Sequence, residues 1–171
     1  MKFIITEQQY FNLFENNYQN NPLKERVDAL LMTGIVRDKS HEGQVQDFKN
    51  GFGENKNIRA FKHSDVSGLL SNLKKYPNIP VVLFSWGATN AGTIASEITN
   101  KSNLYIVEPW GKGYTSPPAV ISAVNQGVPS ENVFVGPNIG RGLGIIKGKT
   151  SKTPQGLNHF QALQYVGSLL K

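Results

Sequence analysis

The segment Ile79-Pro-Val-Val-Leu-Phe-Ser85-Trp-Gly87-Ala-Thr-Asn-Ala91 decides the fold. Its first half, Ile79 to Phe84, is a nearly continuous apolar run, which suits a strand buried on both faces of a sheet. Its second half opens a helix of small residues over Ala88–Ile98, with Ala88, Ala91, Ile94, Ala95 and Ile98 on the side facing that sheet. Only Ser85, Trp86 and Gly87 separate the two. A buried strand that passes almost directly into a helix is the signature of a parallel α/β unit.

The same alternation extends in both directions. Upstream, Val27–Val36 reads as a strand ending at Thr33-Gly34, Asn57–Phe61 as a strand, and Val66–Tyr76 as a helix with Val66, Leu69, Leu70 and Leu73 on one side. Residues 37–56 are polar and glycine-bearing, with a short helix expected near Val45–Phe48. Downstream come a strand at Leu104–Val107, a helix at Pro118–Asn125, a strand at Val133–Val135, and a final helix capped by Asn158 and Gln161 and reaching Leu170. Residues 22–171 are therefore expected to form one α/β domain, a mainly parallel sheet with helices on both faces. Right-handed crossovers gather the carboxyl ends of the strands on one edge, where open α/β sheets bind their ligands. Residues 1–21 read as an appendage. A short apolar stretch is followed by a capping box at Thr6 and Gln9, a helix bearing Tyr10, Phe11, Leu13, Phe14 and Tyr18, and an Asn-rich linker ending at Pro22.

Composition excludes several classes. The chain has 171 residues, 39% apolar and 18% charged, enough to bury a core and too apolar for a disordered segment. No apolar run approaches the roughly 20 residues of a membrane span, and Phe3-Ile4-Ile5 is too short for a secretory signal. A soluble protein, cytoplasmic or virion-associated, is expected. The absence of Cys excludes disulfides, thiolate catalysis and Cys-ligated zinc. Eighteen basic against twelve acidic residues leave a formal charge of +6. No acidic residue follows Glu131, whereas Arg141, Lys147, Lys149, Lys152 and Lys171 do. Such a surface attracts phosphates or an anionic cell surface, or simply keeps the protein in solution. Aromatic residues do not interleave with these charges, so a nucleic-acid partner is not expected.

Chemistry concentrates at Ser85. A buried strand running into a serine, with a helix of small residues starting after it, is the setting of a nucleophile elbow, in which a sharp turn lifts the hydroxyl above the sheet edge. Gly87, two residues after the serine, provides the room such a turn needs, whereas Leu83, two before it, stands where the pattern has glycine. The plainer alternative is a serine that caps the helix. Trp86, Trp110 and Tyr114 accompany this edge and suit an apolar acyl group or a sugar ring.

These features resemble a minimal α/β-hydrolase, over roughly residues 27–171. The superfamily's chain order is Ser, then acid, then His. Ser85, Glu108 at the end of a strand, and His159 just before the last helix follow that order. The resemblance implies a serine hydrolase without cofactor that cleaves an ester, thioester or amide through an acyl-enzyme. It further implies an oxyanion hole formed by the N–H of Trp86 and an N–H from the Gly34-Ile35 loop. In most members the acid follows the strand before the His loop. Here that strand is followed by Gly136-Pro137-Asn138, so Glu108 is expected to orient His159, with Asn138 as its rival. Separately, Lys2-Phe-Ile-Ile-Thr-Glu-Gln-Gln-Tyr10 is similar to the opening of many tailed-phage proteins, which implies a phage or virion partner and a non-catalytic structural or interaction protein as the alternative.

Two further clusters carry less. His41 and His63 with Asp38, Glu42 and Asp65 match no compact metal spacing, and Ser64 or Asp65 is expected to cap a helix. Gly136–Gly148 carries five glycines with Arg141 and Lys147, the basis of a third reading as an anionic-ligand module. Gly148-Lys149-Thr150 resembles the end of a phosphate-binding loop, but position 143 is Leu where that loop requires Gly.

Overall fold

Ala29-Leu-Leu-Met-Thr33 and Val81-Val-Leu-Phe84 are buried at every position, as interior strands covered on both faces must be. They form β1 (Ala29–Thr33) and β3 (Val81–Phe84) of the computed structural model, which describes residues 26–35, 39–109, 116–136 and 149–171. The remaining strands are β2 (Ile58–Lys62), β4 (Leu104–Val107), β5 (Val133–Val135) and β6 (Ser151–Lys152). The helices are α1 (His41–Phe52), α2 (Val66–Lys75), α3 (Ala91–Glu97), α4 (Ser116–Asn125) and α5 (His159–Leu169). Among the described residues the strands make one six-stranded sheet in the order β2-β1-β3-β4-β5-β6, and every pairing in it is parallel. The N-terminal appendage expected over residues 1–21 lies outside the described residues.

Strand parity sorts the core into two layers, since alternate side chains leave opposite faces of a sheet. Leu30, Met32, Val81, Leu83, Leu104 and Ile106 belong to one cluster with Leu69 and Leu73 of α2, Ala91, Ile94 and Ala95 of α3, and Val120 and Ala123 of α4. Ala29, Leu31, Val82, Phe84, Val107 and Phe134 belong to the other, with Phe48 and Phe52 of α1 and Ala162, Leu163 and Val166 of α5. Helices thus cover both faces. The five residues expected to turn the helix after Ser85 toward the sheet are all buried in the first cluster.

Three elements differ from their expectation. α1 is twelve residues long rather than a short helix near Val45–Phe48. Its polar sequence hides it, and its glycine at position 51 serves contact with α5: a Cβ there would overlap the Gln164 carbonyl, and one on Gly167 would come within 2.8 Å of the Phe48 carbonyl. The helix after Ser85 begins as a 3-10 turn over Ser85–Asn90, in which the Thr89 hydroxyl donates to the Trp86 carbonyl, a local bond that competes with α-helical pairing. β6 is only two polar residues and carries no apolar alternation to announce it.

The chain changes direction once across the sheet. From β1 it moves outward to β2, then returns to β3 on the other side of β1 and proceeds through β4, β5 and β6. The reversal lies between β1 and β3, and such a switch point opens a crevice at the carboxyl ends of the strands. Among the described residues, no helix is long and apolar enough to cross a membrane.

Asp28 sets the register at the start of this sheet. Its carboxylate accepts the Asn57 N–H at 2.9 Å and the Arg26 side chain at 2.8 Å, while its own N–H donates to the Asn57 carbonyl. Burial acts to raise its pKa, but the Asn57 N–H and then the Arg26 guanidinium outweigh it and hold the carboxyl below its ordinary range. A depressed carboxyl pKa stabilises the fold above the unfolded pKa, and that contribution disappears as pH falls through the folded value. Asp28→Asn should therefore lower Tm near neutral pH, with the gap from wild type closing as pH falls below the ordinary Asp pKa of about 3.9 and through the lowered folded value. Thermal melts across this range check the expectation, and a gap independent of pH would contradict it.

Candidate active site at the sheet switch point

Phe84 closes β3 in extended conformation (φ −106°), and Ser85 then turns to φ +53°. This left-handed conformation is unfavourable for a residue with a side chain. It is held by contact with the end of β1. A Cβ on Gly34 would lie 2.7 Å from both Ser85 Cβ and the Trp86 nitrogen, and one on Gly87 would lie 2.8 Å from the Met32 carbonyl oxygen. Glycine at 34 and 87 therefore lets two backbones meet. Leu83, where the elbow pattern has glycine, is fully buried in the same cluster as Ala88 and Ala91, whose small side chains leave it space. The Ser85 hydroxyl is wholly buried and has no hydrogen-bond partner among the described residues.

Glu108 occupies the equivalent place on the neighbouring strand. Phe84 and Val107 are register partners, so Ser85 and Glu108 are the next residues along adjacent strands. Glu108 also turns left-handed, at φ +48°. These two are the only non-glycine residues with positive φ among those described. The Glu108 N–H donates to the Phe134 carbonyl at 2.8 Å, which anchors the turn. Its carboxylate is 3% exposed as a residue and lies between three groups. Oε1 accepts the Thr153 hydroxyl at 3.3 Å, Oε2 stands 3.5 Å from His159 Nδ1, and a Cβ on Gly136 would come within 2.8 Å of Oε1.

His159 is the first residue of α5 rather than part of the loop before it. Asn158 and Gln161 form the expected capping box, which sets where the helix starts and so where the imidazole stands. The ring lies 4.6 Å from the Phe84 ring and 5.7 Å from that of Phe160. It therefore rests on the residue immediately before Ser85 while its Nδ1 edge faces Glu108. The Ser85–His159 hydrogen bond is not formed.

Of the expected oxyanion donors, Gly34 is already engaged: its N–H donates to Gln44 Oε1 at 3.0 Å. Ile35, the other residue expected to contribute an N–H from that loop, is exposed. Trp86 meets the His63 ring edge-on at 6.4 Å. His41 Nδ1 is 2.7 Å from the Thr33 hydroxyl, which also bonds the Phe61 carbonyl. Asp65 caps α2 by accepting the Gly68 N–H, as the sequence suggested. Among the described residues, no group of three or more His, Asp or Glu is placed to hold a metal. Trp110, Tyr114, Asp38 and Asn138, and nearly all of the Gly136–Gly148 loop, lie outside the described residues.

The geometry thus brings Ser85, Glu108 and His159 to one edge and adds residues that the sequence did not single out: Gln44 behind Gly34, Thr153 and Gly136 around Glu108, and Phe84 beneath His159. Only Phe84 had a local signal, its place directly before the serine. No family model, curated protein or solved structure matches the chain.

Because the Gly34 contact is with backbone, it cannot be relieved by a rotamer change. Gly34→Ala should destabilise the fold by about 1–3 kcal/mol, the usual range for overpacking. Urea denaturation measures this, and an unchanged midpoint would show that the elbow is not pressed against β1.

Proposed function

We propose that the protein is a serine hydrolase of the α/β-hydrolase kind, its helix layers and sheet forming that superfamily's three-layer sandwich. It would act on an ester, thioester or amide through an acyl-enzyme. One observation carries the reading. The two left-handed non-glycine residues, Ser85 and Glu108, end adjacent strands beside the switch point, and the carboxylate of one faces His159. Strain of this type costs about 1–3 kcal/mol per residue and collects where function requires a particular geometry.

In this reading Ser85 Oγ attacks the acyl carbon and passes its proton to the His159 nitrogen that does not face Glu108. The carbonyl electron pair moves onto oxygen, where the Trp86 and Ile35 N–H groups stabilise it. As the carbonyl re-forms, the bond to the leaving group breaks, and His159 returns the proton to the departing alcohol, thiol or amine. Water then repeats the sequence on the acyl-enzyme and releases the acid. Glu108 holds the imidazole in the required tautomer and stabilises its charged form. The burial of Glu108 and its Thr153 bond support that task, since both fix the carboxylate in place. Trp110 and Tyr114, which follow Glu108 in the sequence, are proposed to contact the acyl group. The reaction needs no cofactor.

A fluorophosphonate probe should label the wild type at one residue and leave Ser85→Ala unlabelled. With a p-nitrophenyl ester, Glu108→Gln should keep KM within a few fold and lower kcat by about 10³–10⁴. Absence of labelling in the folded wild type would sink this reading and favour a non-catalytic role. A Glu108→Gln variant of unchanged kcat would remove Glu108 from the proposed triad.

A further inference from the structure

We infer that Gln44, a side chain of α1 remote in sequence from the triad, is the positioning residue of the oxyanion hole, an inference that rests on the hydrolase reading above. Gln44 is polar, 1% exposed, and directed at one residue. Its Oε1 accepts the Gly34 N–H at 3.0 Å, and its Nε2 donates to the Gly34 carbonyl at 3.2 Å. A further, longer bond of 3.4 Å reaches the Lys39 carbonyl. The carboxamide thus pairs with Gly34 in the two-bond manner of a neighbouring β-strand, just where β1 ends and β2 no longer accompanies it.

This pairing has two consequences for the site. First, it occupies the Gly34 N–H, so that group cannot serve an oxyanion. Second, it fixes the next peptide. The Gly34 carbonyl and the Ile35 N–H belong to one planar trans unit and point in opposite directions. With the carbonyl held toward Gln44, the Ile35 N–H is turned away from α1. Gly34 itself is pressed against Ser85 and the Trp86 nitrogen in the direction a Cβ would take. Gln44 therefore sets the direction of one proposed donor relative to the other without touching substrate. Only a carboxamide can do this. Glu presents two acceptors and keeps only the bond from the Gly34 N–H, and Met has the length but neither bonding group.

The test compares wild type, Gln44→Glu and Gln44→Met, with rates normalised to the fraction labelled by fluorophosphonate. Affinity for phenylboronic acid, which forms a tetrahedral adduct at a nucleophilic serine, is measured alongside. Loss of one oxyanion donor lowers kcat by about 10²–10³, so misdirecting one should lower it by roughly 10- to 100-fold. KM should stay within about twofold, and boronate affinity should fall in parallel with kcat, as transition-state binding requires. Gln44→Glu is decisive, because it removes the bond that fixes the Ile35 peptide and preserves length and the Gly34 N–H bond. Labelled wild type with kcat per labelled site and boronate affinity unchanged in Gln44→Glu would overturn the positioning role and leave the hydrolase reading standing. Failure of both variants to fold would assign Gln44 to stability alone and equally overturn it. An unlabelled wild type would remove the hydrolase reading and this inference together.

Discussion

The site depends on one contact, that of the backbone leaving β1 with the backbone leaving β3. Gly34 meets Ser85 and Trp86, and Gly87 meets the Met32 carbonyl, at distances that leave no room for a Cβ on either glycine. Parallel neighbours at a switch point make this approach available, because the chain departs from β1 and β3 toward opposite sides of the sheet. Ser85 takes its left-handed turn within that contact, and the same proximity sets Gly34 against the Trp86 nitrogen. A larger residue at position 34 would push the end of β1 and the serine apart.

The remainder of the sheet keeps this contact in register. β4 pairs with β3 up to Phe84 and Val107, which places Glu108 beside Ser85. β5 provides the Phe134 carbonyl that anchors the Glu108 turn, and Thr153, just beyond β6, meets its carboxylate. α5 brings His159 from the far end of the chain, and its seat on α1 is close because Gly51 and Gly167 let the helices touch. α1 thus both supports the helix that starts with His159 and carries Gln44. Two strained residues persist because packing and backbone hydrogen bonds around them over-determine their conformation.

Much of the fold was legible because buried parallel strands are written as continuous apolar runs. β1, β3, β4 and β5 each contain such a run, and the small-residue face of Ala88, Ala91 and Ala95 marked the helix lying on the sheet. α1 was legible only around Val45–Phe48, because the inner face that buries Phe48 and Phe52 also carries a buried amide, Gln44, and a glycine, Gly51, which interrupt its apolar pattern. β6 was invisible, since two polar residues pair through their backbone alone. In the site, Ser85 and Glu108 stood out by their position at strand ends, and His159 by its place beside the Asn158 cap.

By itself the sequence determined the α/β class, the strand that runs up to Ser85, and the candidate serine, acid and imidazole in their chain order, because each rests on local pattern or residue type. Tertiary structure alone decided that all the strands run parallel, that Ser85 and Glu108 are register neighbours with left-handed backbones, and that Glu108 faces His159. It also decided that the Gly34 N–H belongs to Gln44. Register, backbone handedness and the partner of a buried amide arise from contacts between segments far apart in the chain, and no local pattern encodes them.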